Sequence, residues 1–291
     1  MPYSTRVIGT CSRPEPCEID RRWAMNYAAA IDDRSDVLYD TRSGSVPVHP
    51  LILSHPEWES HKAIRDQFGL TAEEMSRGVQ VTQDTRIFKP LVSGISTLTT
   101  AKVIGVHRHR AGAWATVQND TKSKDGELLA TTISGAIFRD VEVDGEDCPA
   151  ALPALPRLGA KVGEKVIQQL NIPSTACHVY SECSRIWNPI HTDLGIAEEA
   201  GLPGLILHGT ATIAMAVSAI TAKISGGNPT SISRVAGQLR AMVIVPTELT
   251  LTYQVHASDD GDGQVVTFDL ATQSGELAIK DGIVEYSNDR S

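Results

Sequence analysis

The chain has 291 residues, 41% of them hydrophobic and 21% charged, which is the composition of an ordinary globular protein. That length is enough for one large domain or two of roughly 150 residues, with a core that needs no staples. A net charge of −9 argues against a broad cationic surface for nucleic acid.

The five cysteines, Cys11, Cys17, Cys148, Cys177 and Cys183, are odd in number and irregularly spaced, as expected of reduced thiols. No pair forms a C-x-x-C, so no metal site is expected, and no cofactor motif stands out. The opening stretch, MPYSTRVIGTCSRPEPCEID, lacks the apolar core of a signal peptide. The longest apolar stretch, Leu205 to Ile220, is interrupted by His208, Thr210, Thr212 and Ser218 and reads as a buried helix rather than a membrane span. The expected location is cytoplasmic, with the peroxisome as the alternative, although the C-terminus carries no targeting tripeptide.

In chain order, RRWAMNYAAAI places Trp23, Tyr27, Ala30 and Ile31 at helical spacing. PVHPLILS reads as extended and TAEEMSRG as a short helix. Four strands are then expected, in GVQVTQDTRIFKP, STLTTAKVIGVHRHR, AWATVQNDTKS and LLATTISGAIFR. The HRHR of the second reads as a solvated strand end. Residues 144–160 lie in a proline-rich stretch without a period and read as a linker between segments 1–143 and 161–291. In the second segment TACHVYSECSRI reads as a strand, followed by the compact WNPIHTD and a polar helix, GIAEEAG. An alanine-rich helix then runs from about Gly209 to Ser225. SRVAGQLRAMVIV, ELTLTYQVHAS, GQVVTFDLATQSG and LAIKDGIVEYS are the closing strands, and Asp260–Gly263 is a hairpin signal. Each half thus predicts an α+β layer, one long helix wrapped by an antiparallel sheet, occurring twice.

The stretch WNPIHTDLGIAEEAGLPGLILHGTATIA resembles the hydratase motif of MaoC-like (R)-specific enoyl-CoA hydratases and dehydratases. That pattern runs Asp-x-Asn-Pro-[Leu/Ile]-His-x-Asp, then Ala-x-x-Ala-Gly, then Pro-x-[Leu/Val]-His-Gly. It is met by Asn188, Pro189, Ile190, His191, Asp193, Ala197, Ala200, Gly201, Leu207, His208 and Gly209. The resemblance implies a double hotdog, with a divergent N-terminal hotdog at 1–143 that lacks the motif and a C-terminal one at 161–291 that carries it. It also implies a small-molecule acyl thioester or polyketide-like substrate, no nucleic-acid or membrane partner, and a homodimer as one possible assembly. The departure is at Ile186, where the family's first catalytic residue is an Asp.

By resemblance His191 does the proton work, Asn188 orients water, and Gly209 donates its backbone N–H to the thioester oxygen. The last role also has an independent physical reason. Gly209 opens the expected apolar helix, whose first N–H groups are unpaired and lie at its positive end. His208 is expected to hold the loop before that helix, Asp193 to cap the helix that follows it, and Ile186 and Trp187 to line the substrate site. On a strand Glu182, Ser184 and Ile186 share a face, which makes Glu182 the nearest substitute for the missing acid. A coenzyme A tail would need clustered basic residues, and Arg86, Lys89, Arg234 and Arg240 are the candidates.

The residues therefore point to a MaoC-like lyase, a hydratase or dehydratase, with His191 as its main acid–base group. Loss of the Asp favours dehydration, isomerisation or cyclisation of an activated β-hydroxycarbonyl over hydration of a plain fatty enoyl-CoA. An isomerase or cyclase in secondary-metabolite tailoring is the alternative. From a different class, a non-catalytic acyl-binding protein predicts indifference to replacement of His191.

Overall fold

The computed structural model describes every residue except Met1, Ser43, Asp260, Asp262 and residues 289–291. Its centre is a ten-stranded antiparallel sheet. The first five strands are β1 (Glu15–Ile19), β2 (Gly78–Ile87), β3 (Ile95–His109), β4 (Gly112–Ser123) and β5 (Leu128–Arg139). The second five are β6 (Leu158–Ile172), β7 (Ile232–Leu239), β8 (Thr247–Ser258), β9 (Gln264–Ala271) and β10 (Leu277–Tyr286). They lie side by side in the order β1-β3-β4-β5-β2-β7-β10-β9-β8-β6. Read outward from the middle, the two halves are the same: β2-β5-β4-β3-β1 on one side, β7-β10-β9-β8-β6 on the other. The repeat expected from element order is thus a repeat of topology.

The halves join where β2 pairs with β7, Thr82 to Arg86 running against Gln238 to Arg234. Across this seam the Arg234 side chain of β7 is 4% exposed and holds Asp84 of β2 at 2.7 Å and Glu285 of β10 at 3.2 Å. It also donates to the Ala154 carbonyl at 2.9 Å, which fastens the connecting segment onto the sheet. Arg234 is therefore fully engaged inside the fold and is not a basic residue offered to a coenzyme A tail. Lys89 is paired with Glu127 at 2.8 Å.

Among the described residues six α-helices accompany the sheet: α1 (Arg21–Ala30), α2 (Ser54–Lys62), α3 (Ala72–Ser76), α4 (Ala176–Ser184), α5 (Leu194–Glu199) and α6 (Gly209–Ile224). Helix α6 is the long helix under the second half-sheet. Ala211, Ile213, Ala214, Ala216, Val217 and Ile220 are wholly buried around it. Its polar residues are satisfied locally: Thr212 and Thr221 donate to the carbonyls of His208 and Val217, and Ser218 to Asp33 at 2.6 Å. The first half has no equal. Its counterpart is a single 3₁₀ turn, Pro50–Leu53, running into the short α2, so the expected pair of long helices is one long and one broken. PVHPLILS is thus extended only at its start, where Pro47 bridges to Val92, and turns into a 3₁₀ helix from Pro50.

Three further expectations change. TACHVYSECSRI is helical, not extended, because Cys177, Tyr180, Ser181 and Ser184 stand at i, i+3, i+4 and i+7 and form its buried face. Its alternation of Cys177, Val179, Ser181 and Cys183 imitates a strand. The strand before it, β6, begins at Leu158, inside the stretch read as linker. The hairpin signal at Asp260–Gly263 lies partly outside the described residues, although β8 and β9 on either side do pair antiparallel.

The Arg234 cluster gives a stability test. Arg234→Ala leaves two carboxylates facing each other without their cation, and breaking a buried pair in this way costs roughly 3–5 kcal/mol. Urea unfolding should register a loss of that order, whereas Lys89→Ala, at an exposed pair, should change stability by less than about 1 kcal/mol.

Candidate active site

The segment that carries the site starts where α4 ends. Arg185 takes a left-handed conformation, φ 58° and ψ 34°, and turns the chain back on itself. The first half holds this turn: Trp23 Nε1 donates to the Cys183 carbonyl at 2.7 Å, and His55 Nδ1 lies 2.9 Å from that of Arg185. The Arg185 guanidinium covers the Trp23 ring at 4.2 Å. Ile186 follows and is 6% exposed, while Trp187 points out with 58% exposed. Asn188 then opens a 3₁₀ turn, Pro189–His191. His178 of α4 steadies that turn from behind, its Nε2 lying 3.0 Å from the Thr192 carbonyl. Asp193 caps α5, its side chain accepting from Ile196 N–H at 3.2 Å.

His191 stacks on His208, ring centroids 3.6 Å apart and planes 24° from parallel. His191 Nδ1 is 2.8 Å from the Ile206 carbonyl. A carbonyl only accepts, so Nδ1 carries the proton and Nε2 keeps its lone pair. Burial pushes the His191 pKa down to about 4, with the Ile206 contact pulling the other way. His208, more deeply buried and beside His191, is pushed well below the ordinary value. Both rings are therefore neutral at pH 7, and His191 presents a free basic nitrogen. His208 Nε2 lies 3.3 Å from the Ser181 hydroxyl, which fixes it against α4.

Helix α6 begins at Gly209, directly after His208, and no side chain caps that end. Its first N–H groups therefore remain available to a ligand oxygen. Leu239 of β7 packs against this turn so closely that a Cβ on Gly209 would sit 2.7 Å from Leu239 Cδ1. Glycine allows that approach.

These groups open into a cavity of about 360 Å³ shared by both halves of the chain. The second half contributes Ile186, Asn188, His191, His208 and Gly209, so five of the residues expected at the site do meet. Two do not. Trp187 faces outward, and Glu182 is exposed on α4, its supposed shared face with Ile186 having vanished with the strand. Arg240 lines the cavity and donates to Gln238. The first half contributes Ser54, Glu57, Trp58 and His61 from α2 and Gln80 and Gln83 from β2, none of which the sequence had marked. Glu57 is 6% exposed, and burial raises its pKa to about 7, against the Thr132 hydroxyl and Gln83 amide that favour its charged form. Among the described residues no group of His, Cys, Asp and Glu is placed to hold a metal ion.

A twice-repeated helix-and-sheet unit, with its cavity shared between the units, defines a double-hotdog protein. Within it, residues 158–275 match the family model of the MaoC like domain. The chain is 27% identical to peroxisomal enoyl-CoA hydratase 2 of Arabidopsis thaliana over 58% of its own length and 57% of that protein's. It therefore spans little more than half of that relative. A solved MaoC-like dehydratase superposes with a TM-score of 0.81, 17% identical, covering 97% of this chain and 98% of that one. A Mycobacterium tuberculosis protein with a double hotdog fold superposes at 0.68 and 14%, covering 96% of each. No helix among the described residues is long and apolar enough to cross a membrane.

The buried titrating groups make stability depend on pH. His49, His61 and His191 are all pushed down to about 4 by burial. Between roughly pH 6.5 and 4 the unfolded chain binds protons at these rings that the folded chain refuses, so stability falls as pH falls. Glu57, raised to about 7, acts oppositely, because the folded state keeps a proton that the unfolded chain releases above about pH 4.5. Three rings outweigh one carboxyl, so Tm should be lower at pH 5 than at pH 7, as circular dichroism melts can measure.

Proposed function

We propose that this protein is a lyase that removes water from a 3-hydroxyacyl thioester, or adds it to the 2-enoyl thioester, with His191 as the principal acid–base group. The observation that carries this reading is the unprotonated Nε2 of a neutral His191, in a cavity that also receives the uncapped start of α6. Elimination needs a base for the proton at C2, and a neutral imidazole with a free nitrogen is one at pH 7. It also needs donors for the enolate oxygen that develops as the proton leaves, and the N–H groups at Gly209 supply them without reorganisation. Asn188 lines the same cavity, and in this reading it orients the water or the C3 hydroxyl.

Similarity to an enoyl-CoA hydratase supports a thioester substrate. The first-half wall narrows the acyl group. Ser54, Glu57, His61 and Gln83 are polar, so an oxygen-bearing acyl chain, such as a polyketide-like β-hydroxycarbonyl, suits it better than a plain alkyl chain. Ile186 then acts as apolar wall on the other side of the substrate.

The reading is tested with His191→Ala. Turnover of 3-hydroxybutyryl-CoA and crotonyl-CoA should drop about 10²–10⁴-fold, the usual contribution of a positioned acid–base group. The melting curve should be nearly unchanged, since the ring hangs from a turn rather than the core. Undiminished turnover by a folded His191→Ala protein would remove His191 from the acid–base role, and absence of turnover in wild type across 3-hydroxyacyl thioesters would leave an acyl-binding protein as the reading.

A further inference from the structure

Ile186 leaves the second-half wall of the cavity without a carboxyl group, yet the cavity is not without one. Glu57 is the one acidic side chain lining it among the described residues. It sits on α2, and with Ser54, three residues before, Trp58 beside it and His61, four after, it forms the face that this helix turns to the cavity. In a helix laid against a sheet that face would ordinarily be apolar. Here it is polar at every position but Trp58, and two of its atoms, Ser54 Oγ and His61 Nε2, are buried without a hydrogen-bond partner, while the His61 ring also lies beside the Asn119 amide.

Glu57 stands near the chemistry. Gln83, beside its carboxyl, lies opposite Gly237 of β7, and Leu239, two residues along β7, is the side chain packed on Gly209. Its charge also reaches Tyr180, whose ring is 5.0 Å from that of His208 and whose hydroxyl donates to Thr210 in the first turn of α6 at 3.0 Å. Gln80 donates to Gln83 at 2.5 Å, Gln83 to Thr85 at 2.9 Å, and Thr85 and Thr132 share a hydrogen bond of 3.0 Å. This chain of neutral groups fixes the carboxyl without neutralising it. A buried acid held by neutral dipoles and no cation is a poor structural device and a common catalytic one.

We propose that Glu57 is the second acid–base group of the site, serving the C3 oxygen from the first-half wall while His191 serves C2 from the other. This rests on the lyase reading given above. In dehydration His191 Nε2 takes the C2 proton. The C–H electron pair passes through the enolate, whose oxygen the α6 N–H groups hold, and becomes the C2–C3 double bond. The C3–O bond breaks, and the Glu57 proton goes to the departing oxygen, which leaves as water. The imidazolium and carboxylate left behind exchange a proton through solvent, and no other reactant is needed. Hydration is the reverse.

The groups around Glu57 leave it free to act this way near neutral pH. Tyr27 of α1 and Tyr180 of α4 are raised by burial and stay neutral, and His61 on α2 and His191 are lowered and stay neutral. Strands β2 and β5 present uncharged Gln83 and Thr132. The cations on the cavity wall are Arg65 and Arg240.

The test is the pH profile of 3-hydroxybutyryl-CoA dehydration by wild type, Glu57→Gln and His191→Ala. Glu57 must be protonated to act as the acid, so wild-type kcat/KM should fall as pH rises through about 7. Glu57→Gln should lower kcat about 10²-fold or more and abolish that alkaline limb. A rise in KM alone, or a limb that persists in Glu57→Gln, would overturn the proposal. If His191→Ala is inactive while Glu57→Gln is not, only the assignment of Glu57 fails. If both variants retain full turnover, the assignments of His191 and Glu57 both fail; if wild type itself shows no turnover, the lyase reading fails. Should Glu57→Gln not fold, Glu57→Asp carries the test through displacement of the same limb, and an unmoved limb overturns the proposal.

Discussion

The pairing of β2 with β7 is the constraint on which the rest depends. Those few residues, Thr82–Arg86 against Arg234–Gln238, turn two half-sheets into one and fix how the helices on each side face each other. Tyr27 of α1 and Tyr180 of α4 meet hydroxyl to hydroxyl at 3.3 Å, each ring beside the histidine of its own half, His49 or His208. The loop bearing His191 is pinned by Trp23 and His55 of the opposite half. The site is thus not a property of the motif-bearing half alone. The second half brings the base and the helix start, and the first half brings their alignment and the facing wall.

Electrostatics follow from that enclosure. Stacking two imidazoles at 3.6 Å would be repulsive if both were charged, and burial already disfavours charge on either. Each effect keeps the pair neutral, and the Ile206 carbonyl then selects the His191 tautomer with its basic nitrogen free. The same enclosure acts in the opposite sense on a carboxyl: it raises Glu57 and favours the protonated form. One cavity therefore holds a neutral imidazole and a carboxyl group biased toward its protonated form at the same pH.

Much of this was legible in the sequence, for identifiable reasons. Strands β2 to β5 and β7 to β10 announce themselves by β-branched content between glycine turns. Helix α6 does so by its apolar length, and the motif places Asn188, His191 and Gly209 in order. The failures have physical causes. Strand β6 lies at a sheet edge with Lys161, Glu164 and Lys165 along it, charges that suit an edge and hide the alternation of a strand. Helix α4 carries alternating cysteines that mimic period two, and trusting that period put Glu182 on the wrong face. Helix α2 gave no signal because the residues it turns to the cavity include Ser54, Glu57 and His61, polar side chains at helical spacing that do not read as a core face. The acid was sought near Ile186 in sequence, whereas the cavity wall opposite comes from more than a hundred residues earlier.

The two halves share a strand order but divide the work through a single pair of positions. The bridges Pro47 to Val92 and Ile206 to Ile244 are equivalent, as are the hydrogen bonds from Val48 to Leu91 and from Leu207 to Val243, 3.0 and 2.8 Å long. They place His49-Pro50 of the first half where His208-Gly209 stands in the second. Glycine there offers an N–H at the start of a helix and lets Leu239 close on it. Proline offers no N–H, and behind it the chain makes a 3₁₀ turn before a short α2. The first half therefore has no donor for an enolate oxygen at the equivalent point. Its broken helix instead gives part of the volume and polar wall of the cavity that the second half opens into. One position, glycine in one half and proline in the other, thus accompanies the division into a half with an uncapped helix start at the cavity and a half that supplies the facing polar wall.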